Sequence, residues 1–174
     1  MQPADLIIFN AREILTCAGP APLAGSRQRD VAAIPDAALA AHEGRIVYVG
    51  STSGLGGSVS ATAGATRIDA SGHAVVPGFV DAHTHAVFAG DSRGELRRRL
   101  AGATYAEIAA AGGGIVSTVE ATRAATEQDL VDQSRARFDE MLHCGTTTCE
   151  VKSGYGLELE SELRMLRATA RLQR

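Results

Sequence analysis

Two histidines one residue apart, His83 and His85 in "VVPGFVDAHTHAVFAGD", are the residues of this 174-residue sequence best suited to chemistry. On an extended strand, positions two apart point to the same face. Both imidazoles would then project side by side from the strand's end, which is how two ligands reach one metal ion. Asp81 lies two residues earlier on the same face, placed to accept from an imidazole and orient it. The competing readings are a pair of polar histidines at a sheet edge and a carboxylate satisfied by its neighbours. Position favours the metal: Pro77 and Gly78 punctuate the apolar run before the pair, and in parallel α/β folds sites assemble at the carboxyl ends of strands.

A second segment, "KSGYG", follows another strand-like run and sets Tyr155 between glycines, where its hydroxyl would be free to meet a ligand; a packing aromatic in a loop is the alternative. Gly112 to Gly114 neither follow a strand nor carry the lysine of a phosphate loop, so they read as a helix stop. His42, His73 and His143 lack a partner at ligand spacing and read as surface or structural residues. Cys17, Cys144 and Cys149 have no C-x-x-C spacing and read as small buried hydrophobes.

The elements that must position these residues change character along the chain. Before Asp69, "LIIFNAREILT", "ALAAHEGRIVYVG" and "TRIDASGHAVV" read as short strands, with Glu43-Gly44 and Ser71-Gly72 as hairpin-like turns. The intervening "GPAPLAGSRQRD" and "TSGLGGSVSATAGAT" carry few large apolar groups and are predicted to be surface loops. Past Val76, strand and helix alternate, which argues for βα units and a parallel sheet.

The strand in "AVVPGFVDAHTH" is followed by helical "RGELRRRL" and by "TYAEIAAAGGG", where Thr104 and Glu107 fit a capping box. The next helix starts at "TEQD", turns Leu130, Phe138, Met141 and Leu142 to one side, and stops at Gly145. After the strand "TTTCEV", a last helix carries Leu159, Leu163, Leu166 and Ala170 as its apolar face, with glutamates early and arginines late to suit the helix dipole. No cap, glycine or proline follows it, so the sequence reads as part of a longer chain.

Composition excludes several roles. With 17 basic and 20 acidic residues, a net charge of −3 and a pI near 5.9, the chain has no general attraction for nucleic acid, and its densest basic cluster is only Arg97 to Arg99. The apolar run at Ile7 to Phe9 falls far short of the ~20 residues that a bilayer crossing requires. Nothing at the N-terminus has the form of a signal peptide, and the cysteine usage suits a reducing, cytoplasmic setting.

The segment "PGFVDAHTH" resembles the metal-binding opening of the amidohydrolase superfamily. Together, "HTHAVFAGD", "AAGGGIVSTVEATRAAT" and "GTTTCEVKSGYGLELESELRMLR" resemble the imidazolonepropionase family within it. The resemblance implies an α/β fold in which residues 1–73 form the N-terminal part of a small β-sandwich and residues 74–174 the first two βα units of a (β/α)8 barrel, incomplete in this chain. It implies hydrolysis of the cyclic amide of 4-imidazolone-5-propanoate to N-formimidoyl-L-glutamate, in histidine degradation, with one zinc or iron ion.

His83 and His85 match the family's first two metal ligands, and Tyr155 a tyrosine that contacts substrate. In the family, one residue separates the substrate-binding arginine from the glycine of a Phe-x-Gly turn. Here Asp91 and Ser92 both separate Gly90 from its equivalent, Arg93. A homodimer is the assembly considered for a complete chain. The remaining ligands, a histidine and an aspartate, and the groups that move protons would lie past residue 174. The alternatives are another amidohydrolase, a deaminase or a different cyclic amidase, and a truncated fragment without catalysis, because catalytic zinc sites use three protein ligands.

Overall fold

Strand β1, Gln2–Leu15, organises the N-terminal half of the chain. Its buried residues Ala4, Ile7, Ala11 and Ile14 recur three or four apart rather than two. The cause is two register slips, between Ala4 and Leu6 against one neighbour and between Ile8 and Ala11 against the other, each of which re-aims the side chains that follow. In the computed structural model, residues 1–91 and 93–173 are described, Arg93 and Ala109 by backbone only. The chain divides into two compact units, Met1–Pro77 and Gly78–Arg174.

In the first unit, β2 (Ala33–His42) runs antiparallel to β1, and β3 (Arg45–Ser51) antiparallel to β2. Glu43 and Gly44 join β2 to β3 with φ of 49° and 75°, the paired left-handed conformation that a two-residue hairpin demands. The segment expected to be a loop after Ser51 is instead helix α1, Thr52–Ser58, followed by strand β4, Val59–Asp69. The Ser51 hydroxyl accepts from the Gly54 amide at 3.2 Å and starts the helix. Leu55 packs on a cluster of Ala4, Ile7, Ala40 and Val59. The small residues of β4 need no large side chains, since they join the sheet by backbone pairing with β1.

Ser71-Gly72 also departs from expectation. It does not reverse the chain, because β5 (Ala74–Val75) and β4 both run parallel to β1. The sheet is therefore mixed.

The strand expected to run unbroken through "AVVPGFVDAHTH" is split at Pro77, which has no amide hydrogen to give a sheet. Ala74 and Val75 pair with β1, whereas β6, Phe79–Thr84, pairs in parallel with β7, Thr146–Val151. A Cβ on Gly78 would collide with the Thr147 side chain, so only glycine allows this close start to the parallel pair.

Between β6 and β7 lie α2 (Arg93–Leu100), α3 (Tyr105–Ala110), α4 (Ile115–Ala124) and α5 (Glu127–His143); α6 (Leu159–Leu172) follows. Helix α4 was not expected from a glycine-flanked, β-branched segment. Its start is held from afar: Glu95 of α2 accepts from the Gly114 amide at 2.7 Å and the Ser117 hydroxyl at 3.1 Å. The core of this unit gathers Val87, Ala89, Leu130, Val131, Met165 and Ala168.

Helix α6 buries Ser161, Met165 and Ala168, not the expected stripe. Leu159, Leu163 and Leu166 are 71%, 39% and 46% exposed, and Ala170 is exposed as well. Both stripes have helical spacing, and the smaller residues occupy the face turned to the core. The cysteines differ from expectation too, with Cys17 and Cys144 exposed and Cys149 half-buried. Among the described residues no helix is long and apolar enough to cross a membrane.

Helix α5 begins in a reciprocal cap. The Thr126 hydroxyl accepts from the Asp129 amide at 3.1 Å, and the Asp129 carboxylate accepts from the Thr126 amide at 2.9 Å and from its hydroxyl. Those bonds, from the Thr126 hydroxyl first and its amide second, hold the Asp129 carboxyl below its ordinary range. Thr126→Ala should destabilise the protein by about 1 kcal/mol at neutral pH in urea titrations. Because a lowered carboxyl stabilises only above its unfolded pKa of about 4, the difference between variant and parent should shrink as pH falls through the depressed folded value.

Candidate metal and substrate site

The parallel pairing of β6 and β7 brings both carboxyl ends to one end of the pair. There the Lys152 amide donates to the Thr84 carbonyl at 2.9 Å, and the Thr84 hydroxyl donates to the Glu150 carbonyl at 2.7 Å. His83 is the second-last residue of β6, before Thr84, and His85 begins the loop after it. Their ring centroids are 5.5 Å apart at 73°, edge toward face. The His85 ring lies 5.5 Å from that of Tyr155, which is itself 5.6 Å from Phe88. Three residues singled out in the sequence, His83, His85 and Tyr155, thus form one contiguous group. Arg93 starts α2, and its side chain lies outside the described residues.

Asp81 has a different role from the one expected of it. Its carboxylate accepts from the backbone amide of His83 at 3.2 Å, so it fixes the main chain at the strand end rather than an imidazole. The carboxylate facing a site imidazole is that of Glu150 of β7, whose Oε2 lies 3.8 Å from His83 Nδ1 and whose Oε1 lies 3.6 Å from Lys152 Nζ. Nothing in the sequence linked Glu150 to His83, because the link requires knowing that β6 and β7 pair.

Behind the histidines the chain is held firmly. Arg137 of α5 sits over the Phe88 ring, its guanidinium carbon 3.7 Å from the centroid. The same guanidinium donates to the carbonyls of Ala86, Phe88 and Gly90 at 3.2, 2.8 and 3.3 Å. Burial pushes its pKa below the ordinary arginine value, and an arginine guanidinium keeps its charge in proteins. The buried Thr122 hydroxyl accepts from the Ala89 amide at 3.1 Å, and Gln133 accepts from Gly90 at 3.1 Å. The sequence reading missed Arg137, because its partners are backbone carbonyls with no sequence signature.

The donor set suits a soft or borderline metal through imidazole nitrogen. His85 Nδ1 is buried with no hydrogen-bond partner, and His83 beside it is 65% exposed in its side chain. Two imidazoles fit as part of a ligand set. Among the described residues no three His, Cys, Asp or Glu side chains converge to complete one. A groove of about 600 Å³, lined by residues of α5, β7 and α6 including Phe138, Met141, Cys149 and Leu172, involves neither histidine.

No family model matches the chain. It is 53% identical over 174 residues to an imidazolonepropionase of Symbiobacterium thermophilum, covering 100% of this chain and 41% of that protein. It is 50% identical to one of Myxococcus xanthus, over 99% of this chain and 40% of the relative, and 46% identical to one of Halobacterium salinarum, over 98% and 39%. The chain spans about two fifths of the length of these relatives. Among solved structures, an adenosine deaminase of Xanthomonas campestris with bound zinc superposes with a TM-score of 0.57 at 20% identity, over 95% of this chain and 32% of that one. A triazine hydrolase of Arthrobacter aurescens gives 0.55 at 18% identity, over 95% and 33%. These structures share the mixed α/β fold.

Gly154 backs directly onto the His85 ring. Its φ of 145° disfavours other residues, and an added Cβ would sit 3.1 Å from His85 Cε1. Gly154→Ala should destabilise the protein by about 1–3 kcal/mol. It should also shift the imidazole NMR signals of His85 while leaving those of His73 in place; unmoved His85 signals would contradict the close approach.

Proposed function

From its identity of 46–53% over 98–100% of its length to imidazolonepropionases, we propose that the chain belongs to their family and supplies two metal ligands and a substrate-contacting tyrosine to a hydrolase that opens 4-imidazolone-5-propanoate to N-formimidoyl-L-glutamate. The observation that carries this reading is the grouping of His83, His85 and Tyr155, with ring centroids 5.5 Å apart, at the carboxyl ends of two parallel strands. That end is where α/β enzymes assemble their sites. In this reading residues 1–73 belong to a small β-sandwich, and residues 74–174 form the first two βα units of a (β/α)8 barrel. The mixed sheet of the first unit and the β6-to-β7 crossover of the second support that division.

His83 and His85 would hold one zinc or iron ion. The zinc carried by the structurally similar deaminase supports the first of these. A metal ion at this position provides Lewis-acid chemistry toward a cyclic amide and its attacking water. The overall reaction adds water across the ring C–N bond: oxygen joins the carbonyl carbon, and the leaving nitrogen takes a proton.

The half-buried Tyr155 ring is held between Phe88 and the core, so its phenol would meet a polar ring without first being ordered. Arg93 would engage the propionate, for which a guanidinium fork is suited. The base, the proton donor and the remaining ligands are assigned to the part of the family's length outside this span. The same incompleteness means that the 174 residues alone should hold zinc weakly.

The test uses the full-length enzyme that contains this span, assayed by loss of the substrate's absorbance, with metal content measured in parallel. His83→Ala and His85→Ala should each lower bound metal and reduce turnover by about 100-fold or more. Tyr155→Phe should raise KM about tenfold, the effect of one lost hydrogen bond, with metal retained. Full metal content and unchanged kinetics in the histidine variants would overturn the assignment. Unchanged kinetics in Tyr155→Phe alone would point to another cyclic amidase or a deaminase.

A further inference from the structure

We infer that Glu162 of α6 is a positioning residue for Tyr155: its carboxylate grips the peptide groups just after the tyrosine and thereby sets where the phenol stands beside His85. The inference rests on the substrate role assigned to Tyr155 above. Glu162 Oε1 accepts from the Gly156 amide at 2.8 Å and from the Leu157 amide at 2.7 Å. The first of those N–H groups belongs to the peptide bond that begins at the Tyr155 carbonyl, so holding it restricts the backbone rotation that swings the ring.

The next peptide is held at both ends. Its carbonyl, on Gly156, accepts from Arg123 Nε at 2.6 Å, while its N–H, on Leu157, is one of the two that Glu162 binds. Leu157 is kept at φ 52°, a conformation that a free leucine avoids. The fit admits no slack: a Cβ on Gly156 would lie 2.8 Å from the Glu162 amide, and one on Gly154 would press on His85. Burial alone would raise the Glu162 pKa, but the hydrogen bonding of the tyrosine loop, the Leu157 and Gly156 amides included, outweighs it and keeps the carboxyl below its ordinary range. The clamp is therefore charged at neutral pH, as charge-assisted bonds to amides require. Glu162 itself lies in the first turn of α6, whose preceding residue, Glu158, makes no side-chain cap. Its reach backward past that residue is what ties the helix to the tyrosine loop.

In the metal-loaded full-length enzyme, Glu162→Ala should raise KM for the imidazolone substrate about tenfold, with metal content unchanged and kcat changed less than threefold. Glu162→Gln, whose Oε1 can accept from the same two amides, should restore most of that loss. Combined with Tyr155→Phe, Glu162→Ala should add little to KM, because both changes remove the same contact. A readout independent of turnover is trypsin cleavage after Lys152, which should accelerate in Glu162→Ala but not in Glu162→Gln. If the alanine variant does not fold, Glu162→Asp keeps the charge, shortens the reach and should give the same rise in KM.

A folded Glu162→Ala or Glu162→Asp enzyme with parental KM, in a background where Tyr155→Phe raises KM, would overturn the inference and leave the role of Tyr155 standing. So would fully additive effects in the double variant. If Tyr155→Phe itself leaves KM unchanged, the substrate role of Tyr155 falls, and the positioning role of Glu162 falls with it.

Discussion

Two strands that pair in parallel cannot be joined by a tight turn, and the second unit is arranged around that constraint. Between β6 and β7 the chain must return to its starting end, and it does so through α2, α3, α4 and α5. What the crossover achieves is coincidence. The residues that end β6 and those that follow β7 arrive at the same place, so the pair His83 and His85 meets Tyr155 although some seventy residues of sequence separate them. An antiparallel pairing would have sent the two groups to opposite ends.

The site is then stiffened from one side by a line of flat groups in contact: Arg137 over Phe88, Phe88 against Tyr155, Tyr155 against His85, His85 against His83. The guanidinium at the far end of this line is hydrogen-bonded to three backbone carbonyls of the loop after the histidines. A long cation used this way costs burial, visible in its lowered pKa, and yields a loop whose carbonyls have defined directions. The loop after β7 is fixed by the opposite chemistry, a carboxylate taking amide hydrogens. The two loops of the site are each anchored from a helix, which is what keeps aromatic groups at a strand end from swinging into solvent.

Much of this was legible in the sequence where one residue type answers to one local demand. Glu43-Gly44 made a hairpin because both positions need positive φ; Thr104 with Glu107 and Thr126 with Asp129 capped helices as their spacing foretold. The closeness of His83 and His85 followed from their spacing, although β6 ends at Thr84 and only His83 lies on the strand. The failures share a cause: the deciding partner was remote in sequence. Helix α4 depends on Glu95, some twenty residues away, and the Asp81 carboxylate found its own strand's backbone before any imidazole. Helix α6 carried two stripes of helical period, and only the shape of its neighbours chose the one with Ser161, Met165 and Ala168. The strand through Pro77 was read as one because its apolar run is continuous, yet its two halves serve different sheets.

The register of β6 on β7 bears on how the chain folds as well as on where its side chains stand. Asp81 faces Cys149 across the ladder, and closing a loop of roughly seventy residues must precede any gain from that contact. The β2 to β3 hairpin and the capped helices need only neighbours in sequence. Elements of local origin therefore form on a faster timescale than the parallel pair, and His83 and Tyr155 come together only when the slowest long-range contact of their unit is made. His83 and His85, two residues apart, are neighbours before that pairing forms; what the pairing adds is Tyr155, so the close approach of the three rings reports completed strand pairing.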